Sequence, residues 1–195
     1  NVSDGLLWLY IKGAGKGTKH LCAMQTGEKL DIVLPLGNGF SEPENKEDDI
    51  LLIGGGVGIA PLLYWGSILK NKGYKPRFLL GGATADNLQL LDEFASMGEV
   101  FLTTDDGSQG VRGTVMAHPV LESSADKIYC CGPTPMMKAV ARFAAEHSID
   151  CEVSLENRMA CGIGACLCCV EDTADGHKCV CSWGPVFNVK ELKWV

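Results

Sequence analysis

Buried apolar runs alternate with helical patterns between residues 46 and 150. Continuous apolar stretches predict strands at residues 49–53, 77–81, 99–103 and 127–131. Apolar residues three and four positions apart predict helices over residues 62–71, 87–97 and 135–146, the last with Thr134 as its cap. Strands that alternate with helices are typical of a parallel sheet, so this region is predicted to be an α/β domain.

The preceding region has a different pattern. Residues 6–12 and 29–34 read as short strands, and residues 13–20 read as a glycine-rich turn between them. These pieces resemble part of an antiparallel barrel, but about five or more strands are needed to close one. We therefore expect an incomplete barrel whose first part lies before Asn1. The turn would either bind a phosphate through its backbone N–H groups or serve as a plain hairpin.

Composition narrows the class of protein. The chain has 195 residues, 46% of them hydrophobic, and a net charge of −7, with acidic residues concentrated in a segment at 41–49 that is predicted to be solvated. No basic cluster favours nucleic acid, and no apolar run is long enough to predict a membrane helix. Without a signal-peptide pattern, we expect a cytoplasmic protein. The predicted domains are residues 1–45, 46–150 and 151–195.

A glycine cluster follows the first predicted strand of the α/β region. Gly54, Gly55, Gly56 and Gly58 lie between that strand and the next helix. A strand, a glycine turn and a helix N-terminus together form an anion site, and a dinucleotide pyrophosphate would suit it. The match to G-x-G-x-x-G is approximate, so the alternative that the glycines only permit close packing stays open.

Two further segments fall where strands of this sheet should end. Asp105 and Asp106 follow the third strand, and Cys131 with Gly132 follows the fourth. Ligands of open α/β sheets bind at this edge. The two carboxylates would accept from ribose hydroxyls and repel the 2′-phosphate of NADP, or would simply belong to an Asp-Gly turn. The Cys131 thiol would lie beside the ligand, or would be a small buried residue.

The cysteines near the carboxyl end carry the most specific signal. Cys161, Cys166 and Cys169 have the C-x4-C-x2-C spacing of plant-type [2Fe–2S] ferredoxins, and Cys181 can supply the fourth ligand. Gly162 and Gly164 allow the backbone to curl around a small inorganic core. Counting alone does not decide between Cys169 and Cys168, or between Cys181 and Cys179.

Two alternatives to a cluster remain at this point. Zinc could be bound by two close cysteine pairs, Cys166 with Cys169 and Cys179 with Cys181, although the second spacing is tight. A disulfide framework is less consistent with ten cysteines in a chain that has no secretory signal.

Three motifs in this order indicate a family. The glycine loop at 54–61, the Cys-Gly-Pro segment at 131–137 and the cysteine loop at 154–166 together closely resemble the electron transfer subunits of bacterial type B dihydroorotate dehydrogenases, in the ferredoxin reductase superfamily. The likeness covers essentially the whole chain. It implies a flavin-binding barrel, an NAD-binding α/β domain and a small C-terminal [2Fe–2S] domain.

The resemblance also implies ligands. Cys161, Cys166, Cys169 and Cys181 would bind the cluster, which resolves both ambiguities. FAD contacts would fall on Tyr10, Ile11 and Lys12 and on Gly17 and Thr18, with Lys12 replacing the usual arginine. The family's Arg-Pro-x-Ser flavin motif is absent from this chain, and the resemblance implies that it would precede Asn1.

The implied function is an electron relay. NAD would exchange hydride with FAD, and the cluster would pass single electrons to or from an FMN-containing dihydroorotate dehydrogenase catalytic subunit in a heterotetramer. A related subunit of a hydrogenase, sulfide dehydrogenase or transhydrogenase complex is the first alternative. A zinc-stabilised binding module without enzymatic activity is the second, and an absorption spectrum would separate it from the cluster protein.

Overall fold

A computed structural model describes residues 2–3, 5–123 and 125–195. The chain forms two compact units, residues 1–35 and residues 36–195. Among the described residues, no helix has both the length and the apolar character needed to cross a membrane.

A seven-stranded sheet forms the centre of the second unit. Its members are, in chain order, β3 (Ile50–Gly55), β4 (Arg77–Gly82), β5 (Val100–Thr104), β6 (Val111–Arg112), β7 (Lys127–Cys131), β8 (Asp150–Ser154) and β11 (Val186–Asn188). Their spatial order is β11-β8-β7-β3-β4-β5-β6, and all pair in parallel except β11, which is antiparallel to β8. The predicted α/β fold with a parallel sheet is confirmed.

Helices cover both faces of this sheet. They are α2 (Ile59–Asn71), α3 (Leu91–Ala95) and α4 (Thr134–Glu146). Alternate residues of each strand point to opposite faces, so β3 sends Leu51 and Ile53 into one core cluster with the α4 side chains. Ile50 and Leu52 enter a second cluster with the α2 side chains. Buried on both faces, β3 is the continuous apolar run that the sequence shows.

The carboxyl-terminal part adds a small hairpin and a short helix. Strands β9 (Val170–Thr173) and β10 (Gly176–Cys179) pair in antiparallel, and α5 (Val180–Trp183) leads into β11. Because β8 and β11 belong to the main sheet, the cysteine segment between them is attached to the sheet at both ends. The domain limits at 45/46 and 150/151 stay predictions.

The first unit departs from the strand prediction. Strand β1 (Val2–Ser3) pairs with β2 (Leu6–Leu7), and α1 spans Lys16–Ala23. The predicted strand over residues 6–12 is therefore only two residues long, the predicted turn becomes helical at Lys16, and residues 29–34 form no strand. In the part of this unit that the structure describes, no further strand lies alongside to take up backbone hydrogen bonds.

Helix ends also needed correction. Helix α2 begins at Ile59 rather than at residue 62, because the turn at Gly56–Gly58 runs directly into it. The helix predicted over residues 87–97 is confined to Leu91–Ala95, because Leu90 adopts a left-handed conformation with φ of 60°. Thr134 is the first residue of α4 and not its cap, a place that Pro133 takes.

The acidic segment at 41–49 is held to the sheet more firmly than a solvated linker would be. Pro43 is buried, and its carbonyl accepts a hydrogen bond from the Tyr74 hydroxyl at 3.1 Å. The Asp49 carboxylate pairs with the Arg77 guanidinium at 2.7 Å. The glutamates of the segment are exposed, as predicted.

Candidate functional site

The predicted cluster ligands lie on one loop and one short helix. Cys161, Cys166 and Cys169 belong to the irregular loop between β8 and β9, and Cys181 lies on α5. The loop curls because Gly162, Gly164 and Leu167 all have left-handed backbones, with φ of 73°, 78° and 58°. Glycine adopts this conformation without steric cost, whereas leucine does so only under constraint.

Backbone N–H groups point at the sulfurs. Gly164 N donates to Cys181 Sγ at 3.1 Å, and Cys166 N donates to Cys161 Sγ at 3.4 Å. Cys181 N donates to Cys169 Sγ at 3.4 Å. Donors placed in this way stabilise a thiolate and tune the potential of a cluster bound by it.

Cysteine side chains of the site interact with one another: Cys161 with Cys166, and Cys169 with both Cys181 and Cys179. The Cys161 thiol contacts that of Cys166, and backbone N–H groups, that of Ile163 foremost, lower the pKa of Cys161 to about 6. The Cys169 thiol contacts that of Cys181, and the Cys181 N–H lowers the pKa of Cys169. Its partner Cys181 has a raised pKa because it shares a hydrogen bond with Cys169. Cys161 and Cys169 therefore form thiolates more readily than a free cysteine does.

The predicted ligands can be compared with what a two-iron cluster needs. Each iron of a [2Fe–2S] cluster takes two protein thiolates, so two pairs are required. Among the residues that the structure describes, no three histidine, cysteine, aspartate or glutamate side chains form a group that could hold one metal ion. All ten cysteines are free in this structure.

The two cysteines that counting could not separate from the ligands have distinct surroundings. Cys168 is exposed, and its backbone N–H donates to Cys166 Sγ at 3.5 Å. Cys179 is half-buried and its Sγ lies 3.7 Å from the carbonyl oxygen of Gly164. Neither position could be read from the cysteine spacing.

The predicted nucleotide residues meet where the strand order reverses. From β3 the parallel strands proceed to β4 and β5 on one side and to β7 and β8 on the other. This reversal is a topological switch point, where open α/β sheets bind ligands. Gly54 pairs with Cys131 across it. A Cβ on Gly58 would lie 2.5 Å from the Cys131 carbonyl oxygen, so the two turns are in direct contact.

The glycines of this loop have different roles. A Cβ on Gly54 would lie 3.0 Å from both Ile59 and Leu62, and one on Gly55 would lie 2.7 Å from Met136. At Gly54 and Gly55 neighbouring side chains would have to shift to admit a Cβ, whereas at Gly58 the obstacle is the backbone of Cys131. Gly56 differs: it has φ of 57°, and no heavy atom lies within 4 Å of its Cβ position. Its backbone is thus open to a ligand. A Cβ on Gly132 would lie 3.0 Å from the Gly55 nitrogen.

The remaining candidates lie at the same sheet edge. Cys131 is buried, and burial raises its pKa to about 11, so its sulfur is a neutral thiol at physiological pH. Asp105 is exposed directly after β5, and its N–H donates to the Gly82 carbonyl at 3.1 Å. The neighbouring Asp106 carboxylate accepts from Ser108 N at 2.9 Å, which fits the predicted Asp-Gly turn.

The predicted FAD residues all lie in the first unit. Tyr10, Ile11 and Lys12 have no regular secondary structure, whereas Gly17 and Thr18 are in the first turn of α1. The Thr18 hydroxyl accepts from Ala14 N and Gly15 N, both at 3.0 Å. No heavy atom lies within 4 Å of a Cβ on Gly15 or Gly17. The N-terminus of α1 is therefore an accessible set of N–H groups that a phosphate would fit.

Comparison with known proteins decides the family. Residues 156–193 match the family model for the iron-sulfur cluster binding domain of dihydroorotate dehydrogenase B. The NAD(+)-dependent dihydroorotate dehydrogenase B electron transfer subunit of Caldanaerobacter subterraneus is 43% identical over 91% of this chain and 72% of its own length. That of Geobacillus kaustophilus is 40% identical over 97% of this chain and 75% of its own. The chain belongs to the family of dihydroorotate dehydrogenase B electron transfer subunits.

Solved structures agree with this membership. The NADH-dependent reduced ferredoxin-NADP oxidoreductase, described for flavin-based electron bifurcation, superposes with a TM-score of 0.83 at 36% identity. The match covers 94% of this chain and 67% of that one. The cytochrome b5 reductase domain of Ulva prolifera nitrate reductase superposes with a TM-score of 0.50 at 19% identity over 64% of this chain and 56% of its own, which shows a shared fold.

Proposed function

We propose that this electron transfer subunit relays electrons between NAD and the FMN-containing catalytic subunit that oxidises dihydroorotate in pyrimidine biosynthesis. The observation that carries the proposal is that backbone N–H groups of the loop and of α5 point at the sulfurs of Cys161, Cys169 and Cys181. When bound, FAD supplies the exchange between the two-electron chemistry of NAD and single electrons, and the [2Fe–2S] cluster supplies one-electron transfer.

The thiolates and the loop around them would hold the cluster. Cys161 and Cys166 would take one iron, and Cys169 and Cys181 the other. The Gly164 and Cys166 N–H groups would keep their hydrogen bonds to the sulfurs, which stabilises the negative charge of the thiolates. The chain would thereby control the position and potential of the cluster.

The sheet edge would hold NAD. The open backbone at Gly56 and the N-terminus of α2 would receive the pyrophosphate, and Asp105 would accept hydrogen bonds from a ribose. Cys131, a neutral and almost fully buried thiol, would lie beside the nicotinamide without adding charge. FAD would place its phosphates at the N-terminus of α1.

The partner subunit would dock over the cysteine loop. Four large apolar side chains are exposed around the sulfurs, with exposed fractions of 49% for Met159, 70% for Ile163, 65% for Leu167 and 61% for Trp183. Exposed apolar residues that cluster mark interaction sites. An electron acceptor must also approach the cluster closely, so this rim is where the flavin subunit would bind.

Substitution of one ligand tests the relay. In Cys166→Ser, we expect reduction of NAD by dihydroorotate in the full complex to be abolished, whereas oxidation of NADH by an artificial flavin acceptor is retained. Cys168→Ser is the matched control, because the Cys168 side chain is exposed, and it should retain both activities. Loss of both activities in Cys166→Ser would contradict the relay order.

A second candidate function has support in one observation. The NADH-dependent ferredoxin-NADP oxidoreductase matches this chain at 36% identity with a TM-score of 0.83, so the same relay could serve another flavoprotein partner. Co-purification of the tagged chain from its native cells decides between the partners. Capture of an FMN subunit that oxidises dihydroorotate supports the first function, and capture of a subunit that reduces NADP supports the second. Ten free cysteines further favour a reducing compartment, and we propose the cytoplasm.

A further inference from the structure

A three-residue segment contacts both halves of the cysteine site. Leu36, Gly37 and Asn38 begin the second unit, and we refer to them as the clamp segment. At one end, Leu36 contacts the loop between β8 and β9: a Cβ on Gly162 would lie 3.2 Å from Leu36 Cδ1. At the other end, Asn38 contacts the turn that follows Cys181. The two contacted regions carry cysteines of different pairs.

Asn38 completes the hydrogen bonding at the end of α5. Its Nδ2 donates to the Trp183 carbonyl at 3.2 Å, and its backbone N–H donates to the Gly184 carbonyl at 2.5 Å. The last carbonyls of a helix have no partner within the helix. Because Cys181 belongs to this single turn of helix, the bonds from Asn38 restrain the backbone two and three residues beyond it.

Gly37 has no space for a side chain. Its φ is 64°, and a Cβ would lie 1.9 Å from the Gly184 carbonyl oxygen. Gly184 has little freedom to yield, because its own Cβ position is 2.5 Å from Phe187 Cε2, on a side chain that β11 buries in the sheet. The turn after Cys181 is therefore enclosed between the clamp segment and the core.

We propose that the clamp segment is a positioning element for the iron-sulfur site. It fixes the distance between the loop that carries Cys161 and Cys166 and the turn that carries Cys181, and it thereby sets both the retention and the reduction potential of the cluster. Hydrogen bonds to the sulfurs tune such potentials, and these bonds depend on where the loop and the turn lie. The inference rests on the proposed function, because it presupposes that these cysteines bind the cluster.

Three substitutions and one matched control test the proposal in the full-length protein. Gly37→Ala forces the turn to move, Asn38→Ala removes the side-chain bond, and Asn38→Asp keeps the size but removes the donor to Trp183. Gly39→Ala is the control, because its Cβ would meet no heavy atom within 4 Å and its φ is not left-handed. The measurements are iron and acid-labile sulfide per chain, the rate of cluster loss to a chelator, and the midpoint potential followed by electron paramagnetic resonance.

The expected results separate positioning from general stability. Gly37→Ala should lose most of its iron, and both Asn38 variants should lose the cluster about fivefold faster than wild type, as for one lost hydrogen bond, with a changed midpoint potential. Gly39→Ala should match wild type, and all variants should bind NADH normally. If Gly37→Ala does not fold, the Asn38 variants decide. If the Asn38 variants lost the cluster at the rate of Gly39→Ala and had the same midpoint potential, the proposed role of the clamp segment would be wrong. If wild type contained no iron and sulfide, the proposed function itself would be wrong.

Discussion

Gly58 and the carbonyl of Cys131 are in such close contact that a Cβ on Gly58 would lie 2.5 Å from that oxygen. The contact joins the two turns at the switch point of the sheet, where we propose that NAD binds. Since Cβ atoms do not approach backbone oxygens this closely, a larger residue must push the turns apart.

We therefore expect Gly58→Ala to weaken NADH binding strongly and to lower the free energy of unfolding by about 1–3 kcal/mol, as in other overpacked sites. NADH fluorescence titration and urea denaturation measure the two effects. Gly39→Ala, which meets no heavy atom within 4 Å, should change neither. Unchanged NADH affinity in Gly58→Ala would show that the nucleotide does not use this loop.

A second prediction concerns the buried charges at the opposite edge of the sheet. The Lys127 ammonium, only 8% exposed, contacts the Asp150 carboxylate and lies 3.1 Å from that of Glu152. Removal of one partner leaves a buried carboxylate unpaired, so Lys127→Met should lower the free energy of unfolding by about 3–5 kcal/mol. Lys193→Met breaks an exposed pair with Asp172 and should cost about 0–1 kcal/mol. Similar denaturation midpoints for the two variants would contradict this difference.

Features that depend on residues close together in the sequence could be predicted, whereas features that depend on distant residues could not. Strands β3, β4, β5 and β7 were predictable because each is a local apolar run, whereas the spacing of the cysteines alone left Cys168 against Cys169, and Cys179 against Cys181, undecided. Helix α1 was not predicted because the glycines at its start are typical of a turn. The Thr18 hydroxyl stabilises this start by accepting hydrogen bonds, and apolar periodicity does not indicate such bonds. The contact of Asn38 with Trp183 joins residues 145 positions apart, and no periodicity in the chain indicates it.

Alkylation can test the state of the Cys131 thiol. Burial raises its pKa to about 11, so the reactive thiolate is scarce at pH 8 and the buried sulfur is difficult to reach. We expect iodoacetamide to modify Cys22 and Cys168, which are exposed in the native protein, before it modifies Cys131. Peptide mass spectrometry measures the modification of each site. Rapid labelling of Cys131 at pH 8 would show that the sheet edge opens in solution.

Asp105 should set the preference for NADH over NADPH. Its carboxylate is exposed at the end of β5, where a ribose would lie, and its negative charge would repel a 2′-phosphate. The preference for NADH is the kcat/KM for NADH divided by the kcat/KM for NADPH. Asp105→Asn should lower this quotient about tenfold, chiefly because the KM for NADPH falls. The matched control Asp106→Asn should change the ratio less, because the Asp106 carboxylate is turned towards Ser108. An equal effect of both variants would place the ribose elsewhere.

Asp150 should make the fold sensitive to acid. Burial alone would raise the pKa of its carboxyl, but hydrogen bonds from Lys127 and Asn188 and the charge of Lys127 outweigh burial and lower the pKa. An acid with a lowered pKa stabilises the fold above its unfolded pKa of about 3.9, and this stabilisation is lost as the pH falls through the folded value. Asp150→Asn should therefore be less stable than wild type at pH 7, and the difference should shrink below pH about 4. Urea denaturation at pH 7 and at decreasing pH measures it, with Asp175→Asn, an exposed site, as the control. A difference that stays constant down to pH 3 would show that Lys127 does not stabilise the ionised form of Asp150.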